Sequence, residues 1–280
     1  MKAAALLAVM LLAACQGEGT APGVLRVSAI PDQDAPNVKA QHWPLIQLVC
    51  GALAVRCEWV RLDTYDAVVD SLGNGSIDLA FLGGATYWRA HTAHGAKAIA
   101  IRDVDAQFSS AIVVRQDSPA RNLQDLAHAR LLFGNRASTS GHVMARHFLV
   151  REGIQPELFF SKVDYSGQHD ATLAAVADGL ADAGVVNSSI AHQALGRGGR
   201  YERRLRIVWL SPTYVDYVWA VRPGLPRSFQ AALVDAFLDL DRESAEQAPA
   251  LRAEGAGGFL PDGTGDYDEV GRAIAAMPAR

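Results

Sequence analysis

The chain has 280 residues, half of them hydrophobic and a fifth charged, with 26 basic against 30 acidic side chains and a formal charge of −4. That is a globular composition, long enough for one large domain or two lobes that each bury a core, and not a disordered or fibrous one. With no basic excess a sequence-independent nucleic-acid binder is excluded, and three cysteines are too few for a disulfide-built mini-domain or a four-cysteine zinc site.

The first residues read as an address. Lys2 supplies one positive charge and Ala3 to Ala14 is an unbroken apolar run. The run is shorter than the roughly 20 residues a spanning helix needs and fits the apolar core of a signal peptide. It ends Leu12-Ala13-Ala14-Cys15, which resembles the bacterial lipobox. The expectation is a signal peptide over 1–14, a lipidated Cys15, and a flexible tether over 15–23. An ordinary cleaved signal or a buried N-terminal helix is the alternative. Cys50 and Cys57 then remain as an even pair, read as a structural disulfide or inert thiols. A dithiol for a thiophilic ion is disfavoured, because Cys57 is placed at the start of a strand while ligands in open α/β sheets sit at strand carboxyl ends.

Strand and helix then alternate. Val24–Ile30 reads as a strand stopped by Pro31, Trp43–Leu53 as a helix with Pro44 in its first turn, and Glu58–Leu62 as a second strand. Asp66–Leu72 is a predicted helix ended by Gly73-Asn74-Gly75; Ile77–Leu82 is a third strand; a helix over Ala85–His94 and a strand over Ala96–Ile101 follow. The pattern restarts at Ser110–Arg115, a strand. A short helix (Leu123–Ala127), a strand (Arg130–Phe133) and a helix after Ser138-Thr139-Ser140-Gly141 come next. Phe160–Asp164 is a strand, His169–Asp178 a helix, Asp182–Val186 and Arg206–Leu210 strands, and the tail from Arg227 is mostly helical. Such alternation predicts largely parallel sheets flanked by helices, and two runs of it predict two lobes with a cleft between them. The basic run from Arg197 to Arg206 has no interleaved aromatics and reads as a solvated turn.

Two strand-to-helix junctions carry chemistry. In Phe133-Gly134-Asn135-Arg136-Ala137-Ser138-Thr139-Ser140-Gly141-His142, hydroxyl donors precede a helix whose first N–H groups are free. That suits a tetrahedral oxyanion; a serine that merely caps the helix is the competing reading. In Tyr165-Ser166-Gly167-Gln168-His169-Asp170, His169 could donate from a ring nitrogen or serve as a plain cap. Both junctions would lie side by side at the carboxyl edge of one sheet. His91 with His94, and His142 with His147, lack a further ligand in a recognised arrangement, so no metal or cofactor is expected. There is no G-x-S-x-G elbow, Walker loop or G-x-G-x-x-G.

Trp43-Pro44-Leu45, Tyr65-Asp66-Ala67-Val68-Val69, Ile77-Asp78-Leu79-Ala80-Phe81, Ser138-Thr139-Ser140-Gly141, Gly167-Gln168-His169-Asp170-Ala171 and Ala175-Val176-Ala177-Asp178-Gly179 occur in this order. From about Leu25 to Leu240 the chain resembles the periplasmic solute-binding proteins of phosphonate and phosphite ABC transporters. The resemblance implies a two-lobed type II periplasmic-binding-protein fold: lobe 1 from 24–105 plus 212–280, and lobe 2 from 106–211. It also implies that Ser138, Thr139, Ser140 and His169 bind the oxygens of the ligand, joined by Tyr65 and, through a gapped local match, Asp216. Aminoalkylphosphonate binders carry a Tyr at the place of Phe108 and a Glu near that of Ser189. Their absence here points to a small oxyanion without an amino tail: phosphite, methylphosphonate or phosphate.

The function implied is capture by hinge closure, then delivery to an inner-membrane ABC permease by a monomeric lipoprotein anchored through Cys15 in the periplasm or at the cell surface. No catalysis is implied. Asp216 beside an anion requires a protonated ligand oxygen or a repulsion that limits affinity. A lipoprotein sensor presenting the same anion to a membrane histidine kinase is the alternative. A hydrolase with Ser140 as nucleophile and His169 as base would need an acid orienting the histidine, and Asp170, next to it on a helix, would point elsewhere.

Overall fold

The computed structural model describes residues 21–261 and 266–278. Cys15, its leader and the first part of the tether lie outside the described residues.

The strands form two sheets. The first orders β11-β4-β10-β3-β1-β2, from β1 (Val24–Ala29), β2 (Arg56–Trp59), β3 (Leu79–Leu82), β4 (Lys97–Arg102), β10 (Val218–Val221) and β11 (Phe259–Pro261). The second orders β7-β6-β8-β5-β9, from β5 (Ser110–Arg115), β6 (Arg130–Phe133), β7 (Lys162–Tyr165), β8 (Ala183–Asn187) and β9 (Leu205–Leu210). The chain passes between sheets twice, after β4 and after β9. Each strand that receives a crossing, β5 or β10, enters the interior of its new sheet antiparallel to both neighbours. β1 to β4 run one way and β6 to β9 run one way, so each sheet is mostly parallel in direction. The two crossing segments are tied to each other by reciprocal backbone bonds between Phe108 and Tyr214, at 2.7 and 2.9 Å.

The period-two pattern of β5 explains how the second sheet is covered on both faces. Ile112 and Val114 join Leu131, Phe133 and Leu149 on one side, while Ala111 and Val113 join Leu173, Val176 and Val186 on the other. The first sheet has a continuous core that includes Leu25, Leu45, Leu79, Ile101, Trp219 and Phe237.

Helices α1 (Ala35–Ala52), α2 (Tyr65–Asn74), α3 (Gly84–His94) and α6 (His169–Ala177) fill the connections that matter for the site. The first begins eight residues before the expected Trp43, with Pro36 in its first turn and Pro44 inside it. Pro44 is tolerated because it and Ala40, whose carbonyl loses its partner, both face solvent. The thiols of Cys50, near the end of α1, and Cys57, in β2, are joined, with Cα atoms 6.2 Å apart. β10 and α7 (Ser188–Leu195) have no counterpart among the expected elements.

The halves repeat one local device. Asp78 accepts from the backbone N–H and guanidinium of Arg26, which also donates to the carbonyl of Gly75 at 2.8 Å. Asp182 accepts from Arg130 in the same way, and that arginine reaches the carbonyl of Gly179 at 2.9 Å. Gly75 and Gly179 both hold positive φ, 80° and 74°, where a side chain would be strained. A single offset of 104 positions carries Arg26, Tyr65, Gly75 and Asp78 onto Arg130, His169, Gly179 and Asp182. Tyr65 and His169 are therefore matched positions, each the first residue of the helix after the second strand of its unit.

Candidate functional site

The expected residues come from four separate chain segments. Thr64 caps α2 by accepting from the N–H of Ala67 at 3.1 Å, which fixes Tyr65 at the first turn. Ser138 caps the turn that leads into α4 (Met144–Arg151), accepting from Gly141 N–H at 3.0 Å. His169 opens α6, and Asp216 lies just before β10. β6 and β7 are parallel neighbours, with Phe133 beside Tyr165, so the junctions bearing Ser138–Ser140 and His169 are adjacent at one carboxyl edge. A Cβ on Gly141 would fall 2.9 Å from Ser138 Oγ and 3.0 Å from His169 Cε1, so only glycine lets these three meet.

All six predicted residues are buried: Tyr65, Ser138, Thr139, Ser140, His169 and Asp216. The N-terminus of α3 meets two of them. Gly84 N–H donates to Asp216 Oδ1 at 3.0 Å, and Ala85 N–H donates to Thr139 Oγ1 at 3.0 Å. A Cβ on Gly83 would approach Thr139 Oγ1 to 2.8 Å. The Tyr65 hydroxyl faces Ser138, and burial with the nearby Asp32 carries its pKa well above the phenol value. Ser140 lies near the Tyr214 hydroxyl, which is engaged with Ser110 at 2.8 Å.

Three buried atoms of this set, Ser140 Oγ, His169 Nε2 and Asp216 Oδ2, have no hydrogen-bond partner among the described residues. Their chemistry is defined by what surrounds them. His169 Nδ1 accepts from the Asn187 N–H at 3.4 Å, and burial pushes the imidazole pKa down. The ring is therefore neutral with its proton on Nε2, a donor. Burial raises the Asp216 pKa to about 7 against the Gly84 hydrogen bond, and the nearby Asp105 adds to the rise. Close to neutrality, part of the population thus carries a proton on this carboxyl and can donate. Among the described residues no carboxylate is hydrogen-bonded to the His169 ring, and Asp170 instead accepts from the N–H of Asp34 at 3.2 Å. That arrangement lacks the third member of a nucleophile–base–acid relay.

Sequence reasoning missed Asp32, Asn187 and Tyr217. The Tyr217 hydroxyl donates to Asp32 Oδ2 at 2.8 Å and accepts from Asn187 Nδ2 at 3.0 Å, while its ring stacks on Phe81 at 5.0 Å. Asp32 follows strand β1 and Asn187 ends strand β8, so the junction rule that pointed to Ser138 could have pointed to them. Phe108 lies edge-on to Tyr217 at 5.6 Å, and Ser189 is exposed at the start of α7. The two halves touch around the site: Asp32 O accepts from His169 N–H at 2.9 Å, and Gln33 O accepts from Gln168 Nε2 at 3.0 Å. None of the six residues lines either of the two large cavities, of about 380 and 1090 Å³.

Residues 27–267 match the family of phosphonate ABC transporter periplasmic substrate-binding proteins. The chain is 30% identical over 268 residues to the probable ABC transporter phosphite binding protein PhnD1 of Prochlorococcus marinus, with 90% of each chain covered. It is 27% identical over 297 residues to the phosphate-import protein PhnD of Mycolicibacterium smegmatis, covering 95% of this chain and 92% of that one. Its fold matches the structure of Prochlorococcus marinus PhnD1 in complex with methylphosphonate, with a TM-score of 0.84, 28% identity, and coverage of 91% of this chain and 99% of that one. A binding protein component of an ABC phosphonate transporter from Pseudomonas aeruginosa shares the fold at a TM-score of 0.79 and 18% identity. With its two lobes and buried donors, the chain belongs to the periplasmic substrate-binding proteins of phosphonate ABC transporters, which are ligand carriers and not enzymes.

Proposed function

We propose that this protein captures a small phosphorus oxyanion between its lobes and passes it to an ABC permease. The observation that carries the reading is three buried polar atoms without partners among the described residues, Ser140 Oγ, His169 Nε2 and Asp216 Oδ2, on segments packed together: a Cβ on Gly141 would lie 3.0 Å from the His169 ring, and one on Gly83 would lie 2.8 Å from Thr139 Oγ1 and 3.4 Å from Asp216 Oδ1. Buried polar groups are almost always paired, so a convergent set of unpaired ones marks a binding position. In this reading Ser138, Thr139, Ser140 and His169 hold the ligand from lobe 2, and Tyr65 and Asp216 from lobe 1. The lobe boundaries fall in the crossing segments, near 105/106 and 211/212. Those segments, tied at Phe108 and Tyr214, form the hinge about which the lobes close.

Asp216 is compatible with an anion because its buried carboxyl retains a proton near neutrality. The proton then sits on the protein and need not come from the ligand. The cavity of about 1090 Å³, lined by Asp32, Asn187, Ser189 and Tyr217, borders the six residues, and Phe108 presents a bare phenyl ring where aminoalkylphosphonate binders carry a tyrosine. Phosphite, methylphosphonate or phosphate fits the site better than an aminoalkylphosphonate. We further propose that the protein is secreted and held at the membrane by lipid on Cys15, as a monomer; the joined Cys50 and Cys57 accord with an oxidising compartment.

The test is a thermal-shift and calorimetry panel of phosphite, methylphosphonate, phosphate, aminoethylphosphonate and sulfate. A ligand at about 100 times its Kd adds about 2.7 kcal/mol of stability, enough to raise Tm by several degrees. The expected result is a shift with a tail-less phosphorus oxyanion that disappears in Thr139→Ala. Tighter binding of aminoethylphosphonate than of phosphite or methylphosphonate would overturn the ligand class. No shift with any member would overturn the site.

A further inference from the structure

A second cavity, of about 380 Å³, lies between the lobes and shares no residue with the oxyanion site. Lobe 1 contributes Ala85 and Arg89 of α3, with Ile274, Met277 and Pro278 at the end of the chain. Lobe 2 contributes Arg136, His142, Arg146, Tyr165 and Glu157. Three guanidinium groups therefore border it against one carboxylate.

Each cation is held differently. Arg146 is buried, with 6% of its surface exposed; both terminal nitrogens pair with Glu157, while its Nε, also buried, has no partner among the described residues. Arg136 lies on the face of Tyr165, 3.7 Å from the ring centroid, and makes no ion pair among the described residues. Arg89 pairs with Asp66 at 2.7 Å, but both side chains are substantially exposed, so the pair is weak and exchangeable. His142 Nδ1 donates to the Arg136 carbonyl at 2.8 Å and its Nε2 meets the Tyr165 hydroxyl at 3.1 Å. Burial pushes its pKa down to about 4, which keeps the ring neutral. The remaining walls, including Ala137, Val143, Ile274 and Met277, are apolar.

From this lining we infer that the cavity is a second binding site, for an organic dianion of the phosphate or phosphonate monoester class with an apolar body. The arginines take the head, which suits their planar forks, and the apolar walls take the substituent. A volume of this size suits a small organic ligand rather than a bare ion. The occupant would touch both lobes. It would also lie next to the primary site, since Ala85 N–H is the group that Thr139 accepts from and Ala137 adjoins Ser138. Because it holds the lobes together, its binding and that of the oxyanion strengthen each other by the same factor.

Phenyl phosphate is the probe, measured by calorimetry on the wild-type protein, with benzyl alcohol as the neutral control. The expected result is a Kd of about 1 mM or tighter for phenyl phosphate and none measurable for benzyl alcohol. Binding should persist in Thr139→Ala/His169→Ala and weaken about 10-fold or more in Arg136→Ala, at an exposed position, and in Arg89→Ala, at a half-buried one. Arg146→Ala strands Glu157 and is the variant at risk of misfolding, so Arg146→Lys serves in its place; it keeps the charge but loses the fork and should weaken binding. Absence of binding to the wild type overturns the inference, as does an affinity unchanged across the arginine variants. Binding abolished by Thr139→Ala/His169→Ala but not by Arg136→Ala also overturns it, by assigning phenyl phosphate to the primary cleft.

Discussion

Replacing Asp216 with Asn separates a proton held by the protein from one held by the ligand. The Asp216 carboxyl is fully buried, accepts from Gly84 N–H through Oδ1, and leaves Oδ2 without a partner. With its pKa near 7, it is mostly protonated at about pH 6 and about 99% ionised at about pH 9. If only the protonated form accommodates an anion, wild-type affinity falls about 100-fold over that range through this group, or about 3 kcal/mol. Asp216→Asn keeps the acceptor for Gly84 and presents an N–H where Oδ2 stood, at every pH. The ligand's own titration enters both proteins equally. The ratio of wild-type to Asp216→Asn Kd for methylphosphonate, measured by calorimetry between pH 6 and 9, should therefore rise about 100-fold. Parallel profiles would refute the reasoning. Stability supplies an independent check on the sign. The folded state keeps a proton that the unfolded state loses near the ordinary carboxylate pKa of 3.8. This contribution is complete below about pH 4 and is lost as pH rises to about 7, so wild type should lose about 4 kcal/mol relative to Asp216→Asn across that window.

His169→Ala and Thr139→Ala each remove a hydrogen bond to a charged ligand and should weaken binding roughly 10- to 150-fold, read by calorimetry; unchanged affinity in both would remove them from the site. Gly83→Ala puts a methyl group 2.8 Å from Thr139 Oγ1, so the α3 N-terminus must shift; a loss of about 1–3 kcal/mol is expected in denaturant unfolding, with weaker ligand binding. Cys50→Ala/Cys57→Ala opens a short loop whose closing residues are seven apart, and unfolding with and without reductant should show a loss of about 2–3 kcal/mol.

The strand–helix alternation was legible because strands such as Ser110–Arg115 and Arg130–Phe133 are apolar runs bounded by turn residues, and both ranges match the structure. β10 was not legible. Val218–Val221 is four residues long, and its partners β3 and β4 lie more than a hundred positions earlier, so nothing local marks it as the middle of a sheet. The early start of α1 was hidden because Pro44 reads as a helix beginning, whereas Pro36 holds that role. At the site, Ser138, Thr139, Ser140 and His169 were named because donors gather at two strand-to-helix junctions of one sheet edge, and the family resemblance, not the local pattern, weighed against plain capping. Tyr217 was missed because its hydroxyl meets Asp32 and Asn187, 185 and 30 positions away, which no local pattern encodes, and Asp32 and Asn187 lack the run of hydroxyl residues that marks Ser138–Ser140. The pKa of Asp216 was equally out of reach, since it comes from burial that no local pattern encodes.

The six residues around the unpaired atoms include no lysine or arginine. The neighbouring Arg102 is occupied by a bidentate pair with Asp105 and by the Glu254 carbonyl. The anion would thus be held by dipoles: hydroxyls, a neutral imidazole, a protonated carboxyl and the start of a helix. Dipoles act over one or two atoms and are little affected by mobile ions, whereas fixed charges are screened over about 10 Å at 0.1 M salt. Long-range forces on this chain work the other way, because its net charge of −4 repels an approaching anion. Added salt weakens that repulsion and leaves the grip intact. A carrier built in this way releases its ligand at the same rate in brine and in dilute water, and loads somewhat faster, and so binds slightly tighter, in the saltier medium.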